Sequence, residues 1–93
     1  MAYVIVESNV INKELLMQYS QQAVKTVTKF GGKFIAKGPA ESLHGKCQFT
    51  NRAVIEFDSI AKARSWYQSA EYQALTKLRD KAIESLFVVT DSI

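Results

Sequence analysis

The sequence predicts an α+β domain in the order βαββαβ, with a four-stranded antiparallel sheet and helices on one face. Three observations carry this. Apolar residues recur at helical spacing from Lys13 to Phe30 and again after Ser59, while four short runs rich in β-branched residues flank those helices. Gly31-Gly32 closes the first helical pattern and Gly38-Pro39 interrupts the extended run after it. Arg52 to Phe57 alternates in the two-residue period of a strand with one buried face.

In chain order, Tyr3 to Glu7 reads as the first strand and Asn9 to Asn12 as a polar connection, with Asn12 placed to cap a helix. Leu16, Tyr19, Ala23, Val27 and Phe30 fall at steps of three and four, so one face of a helix is apolar. Gly31-Gly32 then supplies the left-handed backbone that ends it. Lys33 to Lys37 alternates charged and apolar and reads as strand two, and Gly38-Pro39 starts a turn. Ala40 to Asn51 is a hairpin arm or loop bending at Gly45, and Arg52 to Phe57 is strand three. Ser59 caps a helix that begins at Ile60; Ser69 can cap a fresh start, so Ile60–Gln68 and Ala70–Glu84 are one bent helix or two. Tyr72, Leu75, Leu78, Arg79 and Ala82 line its inner side. Leu86 to Thr90 closes the chain as strand four.

Helices cover only one face of such a sheet. Ala53, Ile55 and Phe57 point one way and Arg52, Val54 and Glu56 the other; Val4 and Val6 oppose Tyr3 and Ile5 in the same manner. Strand two offers Phe34 on one side and Ile35 between two lysines on the other, and strand four is apolar on both. The open face thus keeps enough aliphatic surface to want a partner. The expectation is self-association through the sheet or a ligand laid across it.

Composition narrows the class. Ninety-three residues, 47% hydrophobic and 23% charged, make one ordinary globular domain spanning 1–93. No apolar run approaches the roughly 20 residues of a membrane helix. The start has no basic n-region, so no signal peptide and a cytoplasmic location are expected. A single Cys47 excludes an internal disulfide and a single His44 makes a metal site unlooked-for; no cofactor is expected. The net charge of +3 sits in the first half, where six lysines face three glutamates, and reads as a solvated face rather than a phosphate-binding stripe.

RNA-recognition domains share the βαββαβ order and bind on the open sheet. Their third-strand pattern places aromatic residues where this chain has Arg52 and Val54, so the stacking platform is missing and no nucleic-acid partner is expected.

A second likeness is better carried. Gly31-Gly32, Gly38, the Leu43-x-Gly45 turn, Glu56-Phe57-x-Ser59, Ala63, Trp66-Tyr67-x-Ser69-x-x-Tyr72, Arg79 and the first-helix Tyr19 together resemble the domain of unknown function 1330 family, within the dimeric α+β barrel superfamily. Trp66 to Tyr72 is the most specific block, and the likeness spans essentially the whole chain. It implies a ferredoxin-like protomer whose sheets pack across a twofold to close a barrel, and it carries no settled activity. The chain departs from the family at Leu16, at Asn12-Lys13 and at Pro39, so hairpin geometry after strand two is expected to differ.

Among single residues, Trp66 and Tyr67 point about 100° apart on a helix and share no contact surface. The plainer reading packs Trp66 on the sheet and Tyr67 near the Ser69 bend. The functional reading sets Tyr67 and Tyr72 around a pocket between helices and sheet, where related barrels hold substrates. Arg79, two turns after Tyr72, faces inward and must be paired or bind an anion. Its structural partners would be Glu56, Asp58 or Glu84; its functional role would be a clamp for a carboxylate. His44 and Cys47 read as a surface imidazole and an inert thiol, because no third residue orients them as a nucleophile pair. The candidate ligand-binding set is therefore Tyr19, Tyr67, Tyr72 and Arg79. The leading expectation is a homodimer binding a small, anionic molecule; a cofactor-independent monooxygenase or isomerase and a ligand-free interaction protein are the alternatives.

Overall fold

The computed structural model describes residues 1–93, folded as β1 (Ala2–Val10), α1 (Lys13–Lys29), β2 (Lys33–Pro39), β3 (Asn51–Phe57), α2 (Ile60–Gln68), α3 (Ala70–Gln73), α4 (Thr76–Ala82) and β4 (Ile83–Asp91). The strands form one antiparallel sheet in the order β2-β3-β1-β4, the ferredoxin-like α+β arrangement. Local signals start the helices. Asn12 Oδ1 accepts from the Leu15 N–H at 3.0 Å, and Ser59 Oγ accepts from the Lys62 N–H at 3.1 Å. The α1 stop is steric as well as conformational. Gly31 has φ +78°, and a Cβ on Gly32 would sit 2.5 Å from Phe57 Cε1.

Several expectations are corrected. β1 runs on through Asn9 and Val10, and β4 starts at Ile83 rather than Leu86, because Asn9 pairs with Glu84 and Val10 with Ile83. Helix α4 accordingly ends at Ala82, not Glu84; the Ala82 carbonyl accepts from the Ile11 and Asn12 N–H groups at 2.8 and 3.1 Å. The region after Ser69 is two short helices, broken at Leu75. In β2, a bulge between Phe34 and Ala36 reverses the alternation, so Ala36 aligns with Val54 on the open face and Lys37 with Ala53 on the helix side. Pro39 belongs to this strand, opposite Asn51; β2 is the sheet's outer edge, where a missing N–H costs no ladder bond.

The core lies between the helices and one sheet face. Val4, Val6, Ile55 and Phe57 meet Tyr19, Ala23, Val27, Ala63, Trp66, Tyr72 and Leu75. Trp66 does pack on the sheet, its ring 5.5 Å from Phe57 and 6.5 Å from Phe87. On the other face Ile5, Val54, Leu86 and Val88 lie together, with Leu86 and Val88 exposed, and Arg52 bridges to Glu7 across the strands at 2.9 Å. No helix is long and apolar enough to cross a membrane.

Candidate functional site

The two breaks in the second helical region decide what meets inside. Ser69 is extended, accepts from the Tyr72 N–H at 3.1 Å and donates to the Trp66 carbonyl at 2.7 Å, so it caps one helix while closing another. The change of axis brings Tyr67 at the end of α2, Tyr72 on α3 and Arg79 on α4 to one point, and α1 adds Tyr19 from above. Arg79 Nη1 donates to Tyr67 Oη at 2.9 Å and to Tyr72 Oη at 3.3 Å, and the Tyr72 and Tyr19 hydroxyls lie 2.6 Å apart. All four candidates therefore belong to one hydrogen-bonded chain.

Its protonation follows from burial. Tyr72 is fully buried and Tyr19 nearly so. Burial pushes both phenols above their ordinary range; for Tyr19 the neighbouring Tyr72 adds to the rise, while for Tyr72 the contacts with Tyr19 and Arg79 oppose it. For Arg79, burial disfavours the charge, but the bonds to Tyr72, Tyr67 and Asp80 outweigh it and hold the guanidinium above its usual value. Near neutral pH the buried part of the chain is one cation, Arg79, with the neutral phenols of Tyr72 and Tyr19.

The expected partners of Arg79 are corrected. It pairs with none of Glu56, Asp58 and Glu84; its Nε bonds Asp80 Oδ1 at 3.0 Å. The geometry is lopsided, because the Arg79 side chain is only 12% exposed while that of Asp80 is 66% exposed. Arg79 spends Nη1 inside the chain and Nε on Asp80, and leaves Nη2 without a partner. No buried side-chain polar atom is unsatisfied, so Nη2 reaches solvent.

The four residues do not surround a single pocket. One cavity, about 190 Å³, lies between α1 and the sheet; it is lined mostly by apolar side chains and has Tyr19 in its wall. A second, about 350 Å³, lies between α2, α4 and the inner side of β4 and is bordered by Tyr67 and Arg79. Tyr72 lines neither and links them, and Trp66 and Phe87 border both. Arg79 also lies over the Phe87 ring, 5.2 Å from its centre. Sequence reasoning missed Phe87 as a wall residue, because β4 reads apolar on both faces, and missed Lys37 in the first cavity's wall, because the bulge that turns it has no local signature. His44 and Cys47 lie in the exposed loop after β2, away from both cavities; Arg52 Nη2 approaches Cys47 Sγ at 3.8 Å. No three His, Cys, Asp or Glu side chains converge as metal ligands.

The pattern of the family named Domain of unknown function (DUF1330) matches residues 1–92. The chain belongs to that family. Among solved structures, this DUF1330 chain is similar to the RPA0582 protein of unknown function from Rhodopseudomonas palustris, at 15% identity and TM-score 0.81, over 99% of this chain and 82% of that one. It is also similar to a dimeric ferredoxin-like protein of unknown function from Jannaschia sp. CCS1, at 13% identity and TM-score 0.75, covering 98% of each chain. A third similar structure is SnoaB, a cofactor-independent oxygenase from Streptomyces nogalater, at 6% identity and TM-score 0.69, over 99% of this chain and 92% of that one. At such identities the likeness is one of fold. No protein of curated function matches the sequence.

Proposed function

We propose that this DUF1330 chain is a homodimer, associated through its open sheet face, that binds a small anionic molecule in the cavity beside β4. The observation that carries the reading is the unspent Nη2 of Arg79. A guanidinium largely withdrawn from water, balanced only by an exposed carboxylate, is an anion site held ready by its phenol bonds. Tyr67 adds a second donor: its oxygen accepts from Arg79, so its own hydrogen is available to the cavity. Two donors beside one cavity suit a carboxylate, and about 350 Å³ falls at the small end of ordinary ligand sites. Phe87 and Trp66 supply apolar walls for the rest of such a molecule.

Trp66 is the only tryptophan and borders the cavity, so its fluorescence reports occupancy. Titration with benzoate is expected to quench or shift it, and Arg79→Gln to weaken binding by roughly tenfold or more, the value of a charge-assisted bond. Equal affinity in the two proteins overturns the anion site. The fold shared with SnoaB and the guanidinium-tied phenols favour a second reading, cofactor-independent catalysis, in which the same donors stabilise negative charge on a substrate oxygen. Turnover of a bound compound, without an added cofactor, separates it from simple binding.

A further inference from the structure

We propose that the cavity under α1 is a second, separate binding site, for a neutral, monocyclic, mainly apolar molecule carrying a single acceptor oxygen, which Tyr19 receives. The hydrogens along the buried chain point to it. Arg79 only donates, so the Tyr72 oxygen accepts from it. Tyr72 is 0% exposed and its hydroxyl has one other neighbour in the chain, the Tyr19 oxygen at 2.6 Å. Were Tyr19 to donate in that contact, the Tyr72 hydrogen would be buried with no acceptor, a costly arrangement. Tyr72 therefore donates to Tyr19, and the direction runs Arg79 to Tyr72 to Tyr19. The Tyr19 hydrogen is left over. Tyr19 makes no other side-chain hydrogen bond and its side chain lines the α1 cavity, so an acceptor bound there is the partner open to this hydrogen, which is polarised by a cation two bonds behind it.

Size and charge name the ligand class. A cavity of about 150 Å³ lined by aliphatic and aromatic side chains takes benzene; one of about 190 Å³ takes a ring with a few further atoms. Ala23, Val27, Ile55 and Trp66 give it apolar walls. Of its two basic residues, Arg52 is spent on Glu7 and Lys37 is an exposed residue lying against the Phe34 ring, so no free charge stands deep in the cavity to pay for an ion. An aryl ketone or aldehyde fits this description; a carboxylate belongs to the other cavity. The site is linked through Tyr72 to the Arg79 of the anion site but needs no ligand there.

The test uses acetophenone, labelled with ¹³C at its carbonyl, and ethylbenzene, which has the same ring and no acceptor. On the wild-type protein the carbonyl stretch of bound acetophenone is expected at lower frequency than in hexane, with intermolecular NOEs from the ligand to the Ala23 and Val27 methyls. Tyr19→Phe is expected to return the band toward its hexane position and weaken acetophenone about tenfold, the worth of one hydrogen bond at the upper end. Ethylbenzene affinity should change less than twofold. Tyr72→Phe, which cuts the relay but keeps the terminal donor, should give an intermediate band shift. The proposal is overturned by no acetophenone binding, by NOEs to Ala63 instead of Ala23, or by a carbonyl band that Tyr19→Phe leaves unmoved. The wild-type band and NOEs decide the matter even if Tyr19→Phe fails to fold.

Discussion

Arg79 shows how one side chain serves packing and chemistry together. Its guanidinium lies over the Phe87 and Tyr67 rings, and its donors fix two phenols whose positions would otherwise be set by packing alone. Removing a hydroxyl from the middle of this chain is therefore more costly than removing one from its end. Tyr72→Phe strands an Arg79 donor and leaves Tyr19 without its partner, so a loss of about 1–3 kcal/mol is expected in urea unfolding. Tyr67→Phe, at the cavity edge, should cost less. The buried phenols of Tyr19 and Tyr72 give a pH dependence whose sign is fixed. Their folded pKa values lie above the unfolded value near 10, so their contribution is complete below about pH 10 and is lost as the unfolded chain ionises above it. Thermal melts from pH 8 to 11 should fall steeply past pH 10, and less steeply in Tyr19→Phe. A flat profile would mean the phenols are not held neutral by the fold. The identities of all four residues were legible in the sequence. Their connection was not, because it depends on Ser69 and Leu75 bending the chain between them.

At the level of elements, local chemistry was readable and long-range pairing was not. Asn12, Ser59 and Ser69 cap as their side chains dictate, and Gly31-Gly32 stops α1. The end of β1, the start of β4 and the β2 bulge are chosen by strands distant in sequence, so no nearby residue announces them. Gly32→Ala places a methyl 2.5 Å from Phe57 Cε1 and 2.9 Å from Val27 Cγ1, both in the core, and should destabilise by about 1–3 kcal/mol in chemical denaturation. A neutral outcome would mean that the α1–β2 junction is softer than its packing implies. Ser69→Ala removes the cap of α3 and the bond to the Trp66 carbonyl, for about 1 kcal/mol, and also loosens the joint that sets Tyr72 against Arg79. Its benzoate affinity should fall along with its stability, whereas a distant surface change of equal cost would leave binding intact.

The whole molecule is a thin slab, 34 × 31 × 16 Å between Cα extremes, with helices on one broad face and an aliphatic sheet on the other. That open face is wide enough for the roughly 800 Å² per partner of a standard interface, and its centre is Ile5, flanked by Val54 on β3 and Val88 on β4. A twofold pairing places this patch against itself. β4 then matters twice, since Leu86 and Val88 point to the open face while Phe87 between them walls both cavities. Covering the first pair braces an edge strand that has no neighbour on its outer side. Ile5→Lys puts a charge at the middle of the patch without touching either cavity, and native mass spectrometry should show it converting a dimer near twice 10.5 kDa to monomer at micromolar concentration. Benzoate binding should weaken in that monomer, because Phe87 and the inner side of β4 lose their support. A monomeric Ile5→Lys with unchanged affinity would separate assembly from binding, and a wild-type protein that is monomeric at every concentration would mean that the apolar face serves some other partner.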